Sequence, residues 1–135
     1  MIVQRLAADR LATSCWQALP HEAAGFLLGS RRGRTVVVSD VYPLAGAASG
    51  PDSFEVSDQA VRRAEAWAED RRLEILALFH CHPSGDAGLS AADRRSLGHS
   101  PWPWVIVTLG RDGQAMALSA FQAGTASPMV IAVEH

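Results

Sequence analysis

The small number of cysteines and the absence of long apolar segments indicate the cellular compartment of the protein. It has only two cysteines, Cys15 and Cys81, and no long uninterrupted apolar segment. Two cysteines are too few for a disulfide framework, which indicates a reducing compartment. No segment approaches the roughly 20 apolar residues that a membrane-spanning helix needs. The first residues, MIVQRLAADR, lack the apolar core of a signal peptide and contain an aspartate. We therefore expect a cytoplasmic protein.

The chain also lacks an excess of positive charge. Its twelve basic residues are all arginine, fourteen residues are acidic, and the formal net charge is -2 with a pI near 6.2. Proteins that bind nucleic acid or a membrane surface usually carry a basic patch, so neither partner is expected. A length of 135 residues and a hydrophobic content of 48% are typical of one globular domain, which we place at residues 1–135.

The hydrophobic periodicity predicts a mixture of helices and strands. Helices are indicated over residues 6–19, ending at Pro20, over 57–72 with Ser57 as the N-cap, and over 90–97. Strands are indicated over residues 24–28 and 34–42, joined by the turn GSRRGR, and over 54–56, 74–82, 104–109, 115–121 and 129–133. Residues 44–52 have the composition of a loop. This arrangement predicts a single α/β or α+β domain.

Two histidines stand at the end of the most hydrophobic stretch, ALFHCH. In a strand, His80 and His82 share one face, and Cys81 between them faces the other way. Pro83 cannot continue a central strand, which places His82 at its end. Buried histidines need hydrogen bonds or a cation, and two of them about 6–7 Å apart at Cα can bind one metal ion. For an isolated His-x-His pattern, two hydrogen-bonded histidines without metal are the favoured alternative.

A serine and an aspartate follow after a glycine-containing loop. Asp93 can turn back toward the strand end, and two histidines with one aspartate around Zn²⁺ leave a position for water, as in catalytic zinc sites. Ser90 and Asp93 also match the capping box, which in most sequences only begins a helix. The two interpretations are compatible, because Ser90 can cap the helix while Asp93 binds the metal. With Pro83 also in place, the pattern favours a metal site.

The spacing His-x-His-Pro, six residues, Ser-x-x-Asp resembles the JAMM motif of MPN-domain zinc metallopeptidases. That family also has a glutamate far upstream, just before a run like GLLLG, and Glu22 in PHEAAGFLLGS occupies this place. The order of elements up to about Phe121 is similar to that of small stand-alone prokaryotic members. The resemblance implies one MPN-like domain with a central, curved, mixed sheet and flanking helices. Where this chain has Cys81, the family more often has serine or threonine, and a small buried residue is tolerated there.

The resemblance implies a zinc metallopeptidase or isopeptidase and gives each site residue a role. Zn²⁺ would be held by His80, His82 and Asp93, with water as the fourth ligand. Glu22 would take a proton from that water and pass it to the leaving amine. Ser90 would hydrogen-bond the oxyanion of the tetrahedral intermediate. Taken alone, Glu22 would be interpreted as a solvated loop residue, and only the full set of residues supports its role as general base.

Four further residues are weaker candidates. Asp86 is close to the site in sequence, but its spacing does not match the motif, which favours a loop residue. His21 can tune Glu22 or touch substrate, and the alternative is an exposed loop histidine. For His99 no functional argument exists. A thiolate ligand at Cys81 is disfavoured because strand alternation turns it away from the histidines.

The resemblance also implies a class of substrate. Eukaryotic members that cut ubiquitin chains carry insertions that grip both ubiquitins, and 135 residues leave little room for these. The stand-alone prokaryotic members are linked to ubiquitin-like sulfur-carrier proteins, which end in a flexible Gly-Gly tail. We expect hydrolysis after that tail, bound extended at a sheet edge with residues 44–52 as its rim. The alternatives are a non-catalytic scaffold module, which usually lacks some of these residues, and a cell-wall or phage-type peptidase with the same zinc site.

Overall fold

The computed structural model describes most of the chain, namely residues 1–19, 23–44, 48–50, 53–54, 56–82, 89, 91–98, 100–110 and 116–134. The helices in these ranges are α1 (Arg5–Ala18), α2 (Asp58–Asp70) and α3 (Ala91–Gly98). The strands are β1 (Ile2–Val3), β2 (Ala24–Arg32), β3 (Thr35–Leu44), β4 (Ala48–Gly50), β5 (Ser53–Phe54), β6 (Glu74–His82), β7 (Trp104–Leu109), β8 (Met116–Phe121), β9 (Pro128–Met129) and β10 (Ala132–Val133). None of these helices is long and apolar enough to cross a bilayer.

Eight of the described strands form one mixed sheet in the order β10-β1-β3-β2-β6-β7-β8-β9. The pairs β1–β10, β1–β3 and β6–β7 are parallel, and the remaining neighbours are antiparallel. The two ends of this order, β9 and β10, are consecutive in the chain. The sheet therefore curls until one C-terminal segment pairs with β8 on one side and with β1 on the other. The predicted fold class, a curved mixed sheet with flanking helices, is confirmed.

Helix α1 packs against one face of the sheet, and α2 and α3 pack against the other. Ala7, Leu11 and Cys15 recur at four-residue intervals along α1, which places them on one buried face directed at β3 and β7. On the opposite face, an apolar cluster joins the two remaining helices to the sheet; its members include Phe26, Ala64, Ala68, Leu78, Leu97, Trp104 and Ile106. Both faces of the central strands are therefore covered, as their continuous burial requires.

Glycine permits the close packing of β2 between β3 and β6. A Cβ atom at Gly25 would lie 2.6 Å from the ring of Phe79 and would also collide with the carbonyl oxygen of Tyr42. Both separations are shorter than real Cβ contacts. With glycine at this position, β2 pairs along β6 and places Ala24 directly opposite His80.

Most of the predicted elements are present, and β6 has the predicted bounds of residues 74–82. The N-cap prediction is also confirmed, because the Ser57 hydroxyl accepts a hydrogen bond from the Ala60 N–H at 3.1 Å. Three expectations are wrong. The turn predicted over residues 29–34 is confined to Gly33 and Arg34, because β2 continues to Arg32. The predicted loop over 44–52 contains the short strand β4, which pairs with β5. The single strand predicted over 129–133 is divided into β9 and β10, because its two ends pair with different strands. The strand β1 was not predicted, since two residues carry no periodicity.

The C-terminus of α2 forms a Schellman motif without glycine. The Leu73 N–H donates to the Ala68 carbonyl at 2.8 Å, and the Arg72 N–H donates to the Glu69 carbonyl at 3.0 Å. These two bonds define the motif. Arg72 occupies its left-handed position with φ of 56°. Glycine is usual there, because a Cβ atom in this conformation is crowded by the backbone.

The two cysteines of the chain meet between α1 and the sheet. Cys15 and Cys81 are both fully buried in the cluster beneath the helix. A hydrogen bond with the Cys81 side chain, together with burial away from water, raises the pKa of Cys15 far above its ordinary value. The Cys15 thiol therefore stays protonated at neutral pH, and a buried, protonated thiol is a poor nucleophile.

We predict that Arg72→Gly raises the free energy of unfolding by about 1 kcal/mol, because glycine relieves the left-handed strain, which costs other residues about 1–2 kcal/mol. Urea denaturation should show a higher midpoint with an unchanged m value. Arg72→Ala is the matched control, since it removes the same exposed side chain but keeps the Cβ atom. Equal stability of the glycine and alanine variants would show that Arg72 is not strained in its left-handed conformation.

We predict that neither cysteine reacts with iodoacetamide in the folded protein, whereas both react after unfolding. The rate in the folded state should be lower by about 10³-fold or more, because access requires opening of the core. Mass spectrometry after timed alkylation measures this, and the chain has no third cysteine to confuse the count. Rapid modification of either residue in the folded protein is the result that would refute the buried pair.

Candidate metal centre

The end of β6 carries both histidines on the face of the sheet that packs against α2 and α3. His80 pairs with Ala24 of β2 on one side and with Ile106 of β7 on the other. His82 is two residues further along the same face, beside Thr108. Cys81, between them, is buried in the cluster under α1. The alternation that the sequence predicts is therefore present, and a thiolate from Cys81 is on the wrong side of the sheet to join the histidines.

Helix α3 supplies the third residue of the site. Asp93 lies in its first turn. Leu97, one turn later on the same side of the helix, is fully buried in the apolar cluster against the sheet. The packing of Leu97 therefore holds α3 in an orientation that directs Asp93 at the sheet. There the carboxylate of Asp93 reaches both histidines.

The three side chains converge. One possible ligand atom from each of His80, His82 and Asp93 lies within 4.8 Å of those of the other two. The Nδ1 atom of His80 is 3.7 Å from Oδ1 of Asp93, and the Nε2 atom of His82 is 3.5 Å from its Oδ2. The imidazole rings are nearly perpendicular, at 84°, with centroids 4.8 Å apart.

These distances suit a shared cation better than direct hydrogen bonds. A hydrogen bond between nitrogen and oxygen usually spans about 2.7–3.2 Å. Donor atoms bound tetrahedrally to Zn²⁺ at about 2.0–2.2 Å are separated from one another by roughly 3.3–3.6 Å. The observed nitrogen–oxygen distances of 3.5 and 3.7 Å are close to the second range. Two imidazoles and one carboxylate are also a donor set that zinc and similar divalent metals accept.

Burial adds an energetic argument. Exposure is 3% for His80, 8% for His82 and 5% for Asp93. A carboxylate taken out of water without a compensating positive charge costs several kcal/mol. A bound divalent cation would supply that charge and could accept both imidazoles as ligands. Within the described ranges, these three residues form the one group of His, Cys, Asp or Glu side chains that is arranged to hold a metal ion.

The residues expected to perform proton transfer and oxyanion binding, Glu22 and Ser90, lie outside the described residues, as do His21, Asp86 and His99. The structure therefore describes the predicted metal ligands and not the predicted catalytic pair. It does describe the chain next to Glu22. The Ala23 carbonyl accepts a hydrogen bond from the N–H of Cys81, the residue between the two histidines, at 2.8 Å.

Two residues of β7 border the site without having been predicted. Trp104 presents its ring to His80, with centroids 6.5 Å apart and planes at 89°. Thr108 stands beside His82 and is 7% exposed. Both reach the site through the parallel pairing of β6 and β7, which joins residues about 26 positions apart. No local sequence pattern indicates such a contact.

The sequence of the chain matches a known protein family. Residues 5–122 match the family model described as prokaryotic homologs of the JAB domain. No curated protein sequence matches the chain. The solution structure of protein DSY2949 from Desulfitobacterium hafniense is similar, with a TM-score of 0.85 and 28% identity, and the match covers 99% of this chain and 93% of that one.

Two further solved structures share the fold at lower identity. AF2198, a JAB1/MPN domain protein from Archaeoglobus fulgidus, has a TM-score of 0.66 at 17% identity and is covered over its full length, as is this chain. A structure described as JAMM, a metalloprotease-like zinc site in the proteasome and signalosome, has a TM-score of 0.62 at 13% identity, with 100% of this chain and 98% of that chain covered. Because the family model spans most of the sequence and includes all three converging residues, the chain belongs to the family of prokaryotic homologs of the JAB domain.

Proposed function

We propose that the protein is a zinc-dependent peptidase or isopeptidase. The observation that carries this proposal is the buried convergence of His80, His82 and Asp93 within 4.8 Å. The choice of zinc is supported by the donor set and by the fold shared with a structure described as a metalloprotease-like zinc site. Three protein ligands, rather than four, are typical of catalytic zinc sites, in which water takes the remaining position.

The ligands of this chain are suited to water activation. A zinc ion held by these residues would lower the pKa of a coordinated water to near neutrality, about 7. Two imidazoles and a single carboxylate would offset only one of the two positive charges of the ion. The remaining charge would favour the deprotonated form of a bound water, because burial of His80, His82 and Asp93 weakens screening by solvent.

Glu22 and Ser90 complete the proposed chemistry. Glu22 accepts the proton of the attacking water and delivers it to the leaving amine, a contribution worth about 10²–10⁴-fold in rate. Ser90 donates a hydrogen bond to the oxyanion, worth a few kcal/mol in comparable sites. The assignment of Glu22 is supported by its neighbour Ala23, which is bonded to Cys81 between the two histidines. The assignment of Ser90 is supported by its place three residues before Asp93.

The substrate that we propose is a ubiquitin-like sulfur-carrier protein extended beyond its C-terminal Gly-Gly by an amino acid or a short peptide. Its glycine tail has no side chains and fits a narrow groove in extended form. Leu44, the last residue of β3, pairs with Ala24, which in turn pairs with His80. The segment proposed as the rim, residues 44–52, therefore begins in the same row of the sheet as the metal site.

The outer edge of β3 is a less suitable place for such a tail. Within β3, only Val37 and Val38 pair with β1, so among the described residues the rest of β3 has β2 as its single neighbouring strand. The Asp40 carboxylate accepts the Val41 N–H at 2.9 Å, and Pro43 has no N–H to offer. An aspartate and a proline on an open edge are devices that prevent strand addition. This supports a tail site at the metal end of the sheet instead.

We predict one zinc ion per chain in protein purified without added metal. His82→Ala should weaken zinc binding by more than ~100-fold, since it removes a ligand, a larger change than the 10–100-fold typical of residues that only support ligands. His99→Ala is the matched control, a histidine substitution with no proposed role. Atomic emission and competition with a chromophoric chelator measure content and affinity. A wild-type protein that hydrolyses its substrate without any metal would contradict the proposal.

We predict that the enzyme releases carrier protein ending at Gly-Gly from a carrier–cysteine or carrier–peptide adduct of the same organism. Mass spectrometry of the products identifies the cut. A zinc chelator should block the reaction, and Glu22→Gln should slow it by about 10²–10⁴-fold while retaining zinc, because an amide cannot accept the proton.

Other outcomes of this assay separate the proposals. If the adducts stay intact while linked ubiquitin-like chains or cell-wall peptides are cut, the zinc site stands and the substrate is wrong. If Glu22→Gln cleaves at the wild-type rate, Glu22 is not the general base. If no substrate is cut by zinc-loaded protein, a scaffold function replaces the enzymatic one.

A further inference from the structure

Trp104 occupies a special position relative to the metal site. It is the first residue of β7 and pairs in register with Leu78, while the next residue on its face, Ile106, pairs with His80. The backbone of Trp104 therefore lies level with Leu78, two residues before His80 on the neighbouring strand. The indole extends from that row to His80 and meets it edge to face, at 6.5 Å between centroids and 89° between planes.

The contact completes an enclosure around one ligand. The ring of His80 has His82 against it at 84° and 4.8 Å, the Asp93 carboxylate 3.7 Å from its Nδ1 atom, and the indole of Trp104 beside it. Both His80 and Trp104 are 3% exposed, so solvent does not compete for the space between them. An imidazole in this setting has little room to rotate about its side-chain bonds.

We infer that Trp104 is a positioning residue, which holds His80 in its metal-binding orientation before the ion arrives. The inference rests on the proposed metal site and goes beyond it. The terminal torsion of a histidine is broad, so a ring without packing partners samples several orientations. Restricting the ring in advance removes part of the entropy that metal binding would otherwise cost.

The size of the effect follows from the kind of contact. Perpendicular aromatic pairs at centroid distances of about 4.5–7 Å are energetically favourable beyond simple burial. Residues that orient metal ligands typically change metal affinity by about 10–100-fold when they are replaced. Because Trp104 acts through packing and not through a hydrogen bond to the ligand, we expect a smaller change, of about 3–10-fold.

The chain offers a matched control in Trp102. Both tryptophans belong to the same apolar region of the sheet, but Trp102 packs edge to face on Phe26, at 5.1 Å and 69°. Replacement of either ring removes an aromatic contact from the same cluster and lowers stability. Of these two tryptophans, both among the described residues, Trp104 is the one whose ring contacts a residue of the metal site.

The test compares Trp104→Leu with Trp102→Leu, and Trp104→Phe as the conservative variant. Competition with a chromophoric chelator measures Zn²⁺ affinity, and the visible absorption of the Co²⁺-substituted protein reports ligand geometry. Trp104→Leu should bind Zn²⁺ about 3–10-fold more weakly and alter the Co²⁺ bands. Trp104→Phe should recover part of the affinity, and Trp102→Leu should match the wild type in both measurements.

The results separate this inference from the proposed function. A wild-type protein that binds no Zn²⁺ overturns the metal site itself. Wild-type affinity and an unchanged Co²⁺ spectrum in Trp104→Leu overturn the positioning role alone. If Trp104→Leu does not fold, nuclear Overhauser contacts in the wild type decide. Contacts between the Trp104 and His80 rings are expected in both the metal-free and the Zn²⁺-loaded protein, and their absence from the metal-free form would refute the inference.

Discussion

The pairing of β6 with β2 on one side and with β7 on the other determines where each residue of the metal site stands. Its register sets His80 between Ala24 and Ile106, and strand alternation then directs His80 and His82 to one face and Cys81 to the other. Gly25 in β2 permits this close pairing, because a side chain at this position would collide with Phe79 of β6. The pairing of the strands therefore fixes the positions of the residues at the metal site.

Besides the two histidines, the metal site requires a buried carboxylate that reaches both imidazoles. Helix α3 meets it with only eight residues, because Leu97 fixes the helix on the sheet and Asp93 lies one turn earlier on the same side. The resulting cluster brings one carboxylate and two imidazoles together in a buried site. A cation that binds there would stabilise the folded state, since it would bind the native and not the unfolded arrangement.

Local patterns in the sequence were sufficient to predict β6, α2 with its Ser57 cap, and the candidate metal ligands. These features depend on residues close together in the chain, such as the alternation around Cys81 and the three-residue step from Ser90 to Asp93. The curl of the sheet was not derivable from the residues alone, because it depends on one C-terminal segment that pairs with β8 and with β1. Trp104 was missed for the same reason, as its contact with His80 arises from pairing between distant strands.

The metal proposed for this protein is zinc, bound by two histidines and one aspartate and by no cysteine. X-ray absorption at the zinc edge tests it most directly, on wild-type protein purified without added metal. We expect four nitrogen or oxygen neighbours at about 2.0–2.2 Å, with the outer-shell scattering of two imidazoles. A sulfur neighbour at about 2.3 Å would place a cysteine in the site and contradict the alternation of side chains along β6, which turns Cys81 away from the histidines. A shell of oxygen atoms without imidazole would contradict the assignment of His80 and His82.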